Sequence, residues 1–298
     1  MTDLATTGNL PQPTTIRSGS AKARSEWLLQ QLGAHAVLIF FGVIFMLPFL
    51  WMVSSSLKPS ADIFQVPVRL IPETVTFENY PESIKAIHFL RYLGNTFYYA
   101  AFIMVAAVVS NVFIGYGFAR VDWPGRDIIF ILVISTMMLP HQVRFIPLFI
   151  TYSRIGWLDS FNPLIIPAFF GNAFFIFLVR QFMLTFPKDL DDAARVDGAN
   201  ELMIFWRIVA PLSKPAIITI AIFEFMHGWH DFIGPLVYLR NPDLYTLSVG
   251  LRLYFTQHGA EWGLLMSAST LFTLPMIVVF FFAQRTFIEG ISFTGVKG

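Results

Sequence analysis

Four ionisable side chains fall within one apolar span, Pro215–Tyr238: Glu224, His227, His230 and Asp231. Carboxylates and imidazoles can relay protons, hold a divalent metal or hydrogen-bond a polar solute, and within a bilayer they are costly and mark function. At about 100° per residue Glu224, His227 and Asp231 share one helical arc, with His230 beside it. Three readings stay open for this set: the wall of a polar translocation path, a proton relay through Glu224, His227 and Asp231, or a metal centre. The spacing contains no His-Glu-x-x-His run, so no metal site is assigned and no metalloprotease is indicated. Trp229 lies off the arc and reads as packing. A second polar interruption, His141, Gln142 and Arg144 between Pro140 and Pro147, adds Arg144 to the candidate pathway. Asn95 and Asn111 read as bridges between helices.

The other stretch with chemistry is Pro187–Pro215, PKDLDDAARVDGANELMIFWRIVAPLSKP. Asp189–Val196 makes a short helix, Gly198 allows a turn with positive φ, and Asn200 can cap a second helix. Leu202, Phe205, Trp206 and Val209 recur at i, i+3, i+4 and i+7, giving one apolar face that ends at Pro211. Such a face lies on headgroups, under its own bundle, or in a groove on a partner protein. The last reading makes Pro187–Pro215 a docking loop. No G-x-x-x-x-G-K-[ST] phosphate loop occurs, so this chain does not hold nucleotide in that manner.

The elements that carry these residues are apolar. Hydrophobic residues make up 55% of the 298, charged residues only 13%, and Phe alone accounts for 33. A soluble domain carries about 25% charged residues, so a soluble enzyme is excluded and an all-α integral membrane protein is indicated. The net charge of +1 gives no footprint for nucleic acid, and the absence of Cys removes disulfides and thiol chemistry. Residues 1–25 are polar and aperiodic and read as a disordered cytoplasmic tail; residues 26–298 read as a single transmembrane domain. Six transmembrane helices are expected, near Leu32–Val53, Leu93–Ala119, Ile128–Ile150, Phe161–Val179, Pro215–Tyr238 and Gly263–Ala283, since about 20 apolar residues cross a bilayer. The Pro140–Pro147 break in the third requires cover by protein or a water-filled cavity. Counting Lys and Arg, about twelve of the 20 fall on the side of the N-terminus and of the 187–215 loop. The bias places both termini and that loop in the cytoplasm. Residues 57–92 then form an extracytoplasmic segment large enough to touch a partner.

Asp192-Ala193-Ala194-x-x-Asp197-Gly198-Ala199, followed by Phe205, Ile208, Pro211 and Pro215, resembles the EAA loop of bacterial ABC importer permeases. Asp192 stands where Glu is usual, and Ala210 where Leu is usual. Further segments, Met138-Leu139-Pro140 with Ile146-Pro147-Leu148, Gly156-Trp157-Leu158-Asp159-Ser160, Trp229-His230-Asp231-Phe232 and the glycine-rich end Gly290–Gly298, resemble the carbohydrate, maltose-type branch, in its shorter permease. The resemblance implies a multi-pass permease subunit of a bacterial or archaeal cytoplasmic membrane. Its expected partners are a second homologous permease, an ABC ATPase dimer that binds ATP and magnesium, and an extracytoplasmic solute-binding protein. It carries half of a pathway for a sugar or related small polar solute and is not an enzyme itself. In that frame Asp192, Ala193, Ala194, Arg195, Asp197, Gly198, Ala199, Phe205 and Pro211 couple to the ATPase. The alternative, a proton-coupled secondary transporter, would need no paired helices in one cytoplasmic loop, and no repeated half is visible.

Overall fold

The computed structural model describes residues 21–256 and 259–295, with side chains over 27–140, 142–255 and 259–284. Most of the expected 1–25 tail, the His141 side chain and the side chains of the glycine-rich end lie outside the described residues. Fourteen α-helices run along the described chain: α1 Ala21–Ser56, α2 Asn79–Ala86, α3 Phe89–Ala119, α4 Arg126–Ser135, α5 His141–Arg154, α6 Asn162–Ile165, α7 Ala173–Met183, α8 Asp189–Val196, α9 Glu201–Ile204, α10 Ala210–Leu212, α11 Lys214–His230, α12 Ile233–Tyr238, α13 Leu247–Gly250 and α14 Trp262–Gly295. Two-residue strands β1 (Phe255–Thr256) and β2 (Gly259–Ala260) pair antiparallel.

The chain divides between Trp51 and Met52 into two units. In the first, α1 is apolar on every side and its large side chains, such as Leu38, Ile39, Phe40 and Phe45, are exposed. A helix hydrophobic all round needs lipid or another helix against it. In the second unit, α3 is the hub. Its first turns pack Phe89, Tyr92 and Ala100 against Trp229, Leu247, Tyr254 and Phe272. Its last turns pack Val112, Tyr116 and Ala119 against Phe175, Val179, Ile204, Phe205 and Val209. Small residues let α3 and α11 touch closely: a Cβ on Gly228 would come within 2.8 Å of the Ala100 backbone.

Among the described residues four helices are long and apolar enough to cross a membrane: Trp27–Ser56, Phe89–Ala119, Asn162–Met183 and Trp262–Gln284. Two further bent pairs, Arg126–Met138 with Gln142–Arg154 and Glu201–Leu212 with Lys214–His230, bring the number to six if each is one span. The expected third span is therefore two helices meeting at Pro140, which cannot donate the hydrogen bond a continuous helix needs. The expected fourth is α6, a short 3₁₀ turn and α7, joined at Gly171 with φ 86°. The expected fifth, drawn to Tyr238, ends at His230. Asp231 leaves helical geometry with ψ 116°, and α12 starts anew beyond it.

Candidate functional site

The 187–215 stretch folds as the sequence suggests in its first half. Helix α8 has three aspartates in its first turn and Arg195 in its last, both favourable to the helix dipole. Gly198 takes φ 83°, and Asn200 caps the next helix by accepting from the Met203 N–H at 2.9 Å. A Cβ at Gly198 would meet no atom of the described residues within 4 Å, so the need for glycine there is backbone conformation, not crowding.

Beyond Asn200 the structure corrects the expected apolar face. Phe205–Val209 is a π-helical turn, which winds more residues per turn than an α-helix and so breaks the i, i+4, i+7 register. The face is split in two. Ile204, Phe205 and Val209 are buried in the chain's own core, with Phe205 stacked on Phe113 at 4.5 Å and edge-on to Tyr116 at 5.1 Å. Leu202 and Trp206 stay 63% and 61% exposed and Val196 87%, although the Trp206 ring also meets Phe113 edge-on at 5.7 Å. Phe205 therefore ties the loop to its own bundle and is not free to enter another protein's groove. Pro211 lies one residue before the end of the continuous Glu201–Leu212 helix, and the chain bends by 75° between Leu212 and Lys214.

Electrostatics lock the loop in place. Arg195 bonds Asp192 at 2.8 Å and Glu201 at 3.0 Å, joining the two helices across the Gly198 turn. The Glu201 carboxylate raises the Arg195 guanidinium above its ordinary range. Glu201 also accepts from Tyr116 Oη at 2.8 Å, which ties the turn to α3. Of the other expected loop residues, Ala194 is buried and Ala199 half-buried, while Ala193 and Asp197 are exposed.

The strongest tie was not legible in the sequence. Arg120, just past the end of α3, gives Nε to Asp191 Oδ2 at 2.7 Å, with side chains only 2% and 4% exposed. Its other nitrogens donate to the Phe186 and Pro187 carbonyls at 2.9 and 3.0 Å. One guanidinium thus fastens the end of α3 to the α7–α8 link and to α8 itself, using the planar fork that lysine lacks. Asp191 Oδ1 is buried without a hydrogen bond among the described residues, beside a charged pocket of about 210 Å³. The signal available was Arg120 at a helix end together with an Asp run; nothing in the spacing joined them.

At the other site, a cavity of about 720 Å³ lies between α3, α5, the 163–172 segment, α11 and α12. Arg144, Glu224, His227 and Asp231 all line it. His230 does not; it is exposed, its Nδ1 against the Met226 carbonyl at 3.0 Å and its ring edge-on to Phe272. Asp231 is held by structure: Oδ2 accepts from Tyr99 Oη at 2.9 Å and Oδ1 from the Gly234 N–H at 3.0 Å, which caps α12. Trp229 is buried and stacked on Phe272 at 5.5 Å, as a packing residue should be. Asn111 accepts from the Asn172 N–H at 2.7 Å and Asn95 donates to the Asp243 and Tyr245 carbonyls, so both bridge elements. Among the described residues no three His, Asp or Glu converge as metal ligands.

The two sites lie along one helix, the cavity against the middle turns of α3 at Tyr99, Ile103, Ala107 and Asn111 and the paired-helix loop at its far end. Arg120 and Tyr116 close the α8–α9 end of α3; Arg91, paired with Asp243, and Asn95 close the other. A paired-helix loop at one end of an apolar bundle and a polar cavity within it are what a transport component needs. Residues 111–292 match the family model described as binding-protein-dependent transport system inner membrane component. The chain belongs to this family. It is 36% identical over 270 residues to the arabinooligosaccharides transport system permease protein AraQ of Bacillus subtilis, spanning 88% of this chain and 95% of that one. It is 31% identical to the sn-glycerol-3-phosphate transport system permease protein UgpE of Yersinia pestis, over 86% and 94% of the two chains. Similarity extends to the diacetylchitobiose uptake system permease protein DasC of Streptomyces coelicolor, at 29% over 264 residues, 88% and 95% of the two chains. Among solved structures it matches a bacterial ABC transporter involved in the import of the acidic polysaccharide alginate, with TM-score 0.78, 25% identity and coverage of 88% and 97%. This permease is a transport component, not an enzyme. Membership sets aside the proton-coupled reading of Glu224, His227 and Asp231.

Proposed function

We propose that this permease forms half of the translocation pathway of an ATP-driven importer for a sugar or related small polar solute. Its partners are a second homologous permease, an ABC ATPase dimer holding ATP and magnesium, and an extracytoplasmic solute-binding protein. Relatives named for arabinooligosaccharides and diacetylchitobiose support the solute class. The bent pair Arg126–Met138 with Gln142–Arg154 crosses once and Lys214–His230 crosses once, giving six spans over residues 26–298 with both termini and the 187–215 loop cytoplasmic. Residues 57–92 face the binding protein, with Phe64, Val66, Ile71 and Phe77 exposed there.

One observation carries the coupling role: α8 and α9 form a charge-locked knuckle whose outer side presents Val196, Leu202 and Trp206 while its inner side is fused to the core. An exposed apolar face on a rigid support is what a partner's cleft can hold and push. Asp192, Arg195, Asp197 and Gly198 set its shape, while Phe205 and the Arg120–Asp191 pair pass its displacement to α3. Closure of the ATPase pair then favours one arrangement of the bundle and its opening the other, because nucleotide binds the two unequally. Gly198→Asp tests this. The variant should insert in the membrane at wild-type level yet lose copurification of the ATPase or its stimulation by loaded binding protein. Normal ATP-dependent uptake by the variant would overturn the coupling role.

A further inference from the structure

The polar groups around the 720 Å³ cavity divide sharply into spent and unspent. Asp231 accepts from Tyr99 and Gly234, and Asn111 uses both ends of its amide, toward the Ala107 carbonyl at 2.6 Å and the Asn172 N–H. Asn172 Oδ1 is taken by the Phe174 N–H at 2.9 Å. Two charged groups remain. Glu224 is only 8% exposed, lines the cavity from α11 with His227 as its electrostatic neighbour, and has no hydrogen bond or salt bridge with any described residue. Arg144 lines the cavity from α5 and forms no ion pair within 4.0 Å among the described residues, so the two opposite charges share one space without pairing. A carboxylate in the cavity wall that accepts no hydrogen bond from the described residues can accept from a solute held there.

We infer that Glu224 and Arg144 are cargo contacts that together select a neutral, polyhydroxylated solute. The reasoning is donor–acceptor matching. An ionised carboxylate only accepts and a guanidinium only donates, whereas each hydroxyl of a sugar does both. Adjacent hydroxyls can donate to Glu224 and, through their oxygens or a ring oxygen, accept from Arg144, satisfying both walls with charge-assisted bonds. An anion would satisfy Arg144 and repel Glu224; a cation would do the reverse. With Asp231 also in the wall, one guanidinium faces two carboxylates, so a phosphorylated or acidic cargo is the less favoured of the charged kinds. His227, one turn from Glu224, is a further hydrogen-bonding group on the same wall. This inference rests on the importer reading above and adds to it the charge class of the cargo and the residues that read it.

The test uses the complete importer with its own binding protein, reconstituted in vesicles with ATP on the ATPase side. Uptake is followed for arabinotriose, glycerol 3-phosphate and glucosamine as neutral, anionic and cationic probes. The wild type should import arabinotriose in preference to the other two. Losing one charge-assisted bond should raise KM for arabinotriose roughly tenfold to a hundredfold in Glu224→Ala and in Arg144→Ala. Glu224→Gln, which keeps an acceptor oxygen, should recover part of the loss. Copurification of the ATPase by each variant guards against misfolding, and Glu224→Gln with Arg144→Gln serves if the alanine variants fail to assemble. Wild-type uptake of glycerol 3-phosphate or glucosamine ahead of arabinotriose, or uptake of none of the three, overturns the inference. So does an unchanged KM in the assembled variants. Uptake that needs no ATP would instead overturn the importer reading, whatever Glu224 does.

Discussion

Replacing Arg120 by Ala should do more damage than any change to the exposed loop residues. The wild-type guanidinium is 2% exposed and its Asp191 partner 4%, so solvent does not screen the pair. Removing one member of a buried ion pair leaves the other charged and unpaired, at about 3–5 kcal/mol. The Phe186 and Pro187 carbonyls also lose donors, but the charged pocket alongside can admit water, so the expected total stays at about 4 kcal/mol. Lysine should recover part of this, since its single ammonium can reach Asp191 but not serve the three acceptors at once. The assay is a double-mutant cycle on the purified importer: Arg120→Ala, Asp191→Ala and both together, read as resistance to denaturant and as stimulation of ATP hydrolysis by loaded binding protein. Coupling between the two positions should exceed about 1.5 kcal/mol, the double variant being little worse than either single one. Additive effects, or a wild-type response in Arg120→Ala, would show that α3 is not fastened to α8 through this pair.

Asp192→Ala should weaken coupling several-fold without abolishing assembly, because Arg195 keeps Glu201 and the outer apolar face survives; complete loss of ATPase copurification would contradict this. Trp206→Ala should reduce ATPase copurification at nearly unchanged permease stability, because the side chain is 61% exposed, whereas Phe205→Ala should cost about 3–5 kcal/mol of stability. Reversal of that pair, read by pull-down and thermal denaturation, would invert the assigned faces. Gly228→Val should separate α3 from α11 and lower stability by about 1–3 kcal/mol, since its Cβ would meet the Ala100 backbone at 2.8 Å; a neutral result in thermal denaturation would refute the close contact.

The apolar spans, the Gly198 turn and the Asn200 cap were readable because each depends on local composition or on a residue's own backbone preference. The division of the loop's apolar face was not. Periodicity assumes 3.6 residues per turn, and the Phe205–Val209 π turn breaks that assumption while leaving the residue types unchanged. The Arg120–Asp191 pair was invisible for another reason: 71 residues separate its members, and only tertiary packing selects one aspartate of the α8 run over its neighbours. Glu224, His227 and Asp231 line one cavity, but Asp231 reaches it from beyond the end of α11, where the helical arc no longer applies. The arc could not show that Asp231 is occupied as the cap of α12 while Glu224 is not.

The contact of Gly228 with Ala100 has a mechanical corollary. Ala100 lies 11 residues from the start of α3 and 19 from its end, so the helix extends about 17 Å on one side of that contact and about 29 Å on the other. If α3 tilts about this fulcrum, a given swing at the Arg120 end reaches the opposite end reduced to roughly three-fifths and reversed in direction. The gearing would make one mouth narrow as the other widens.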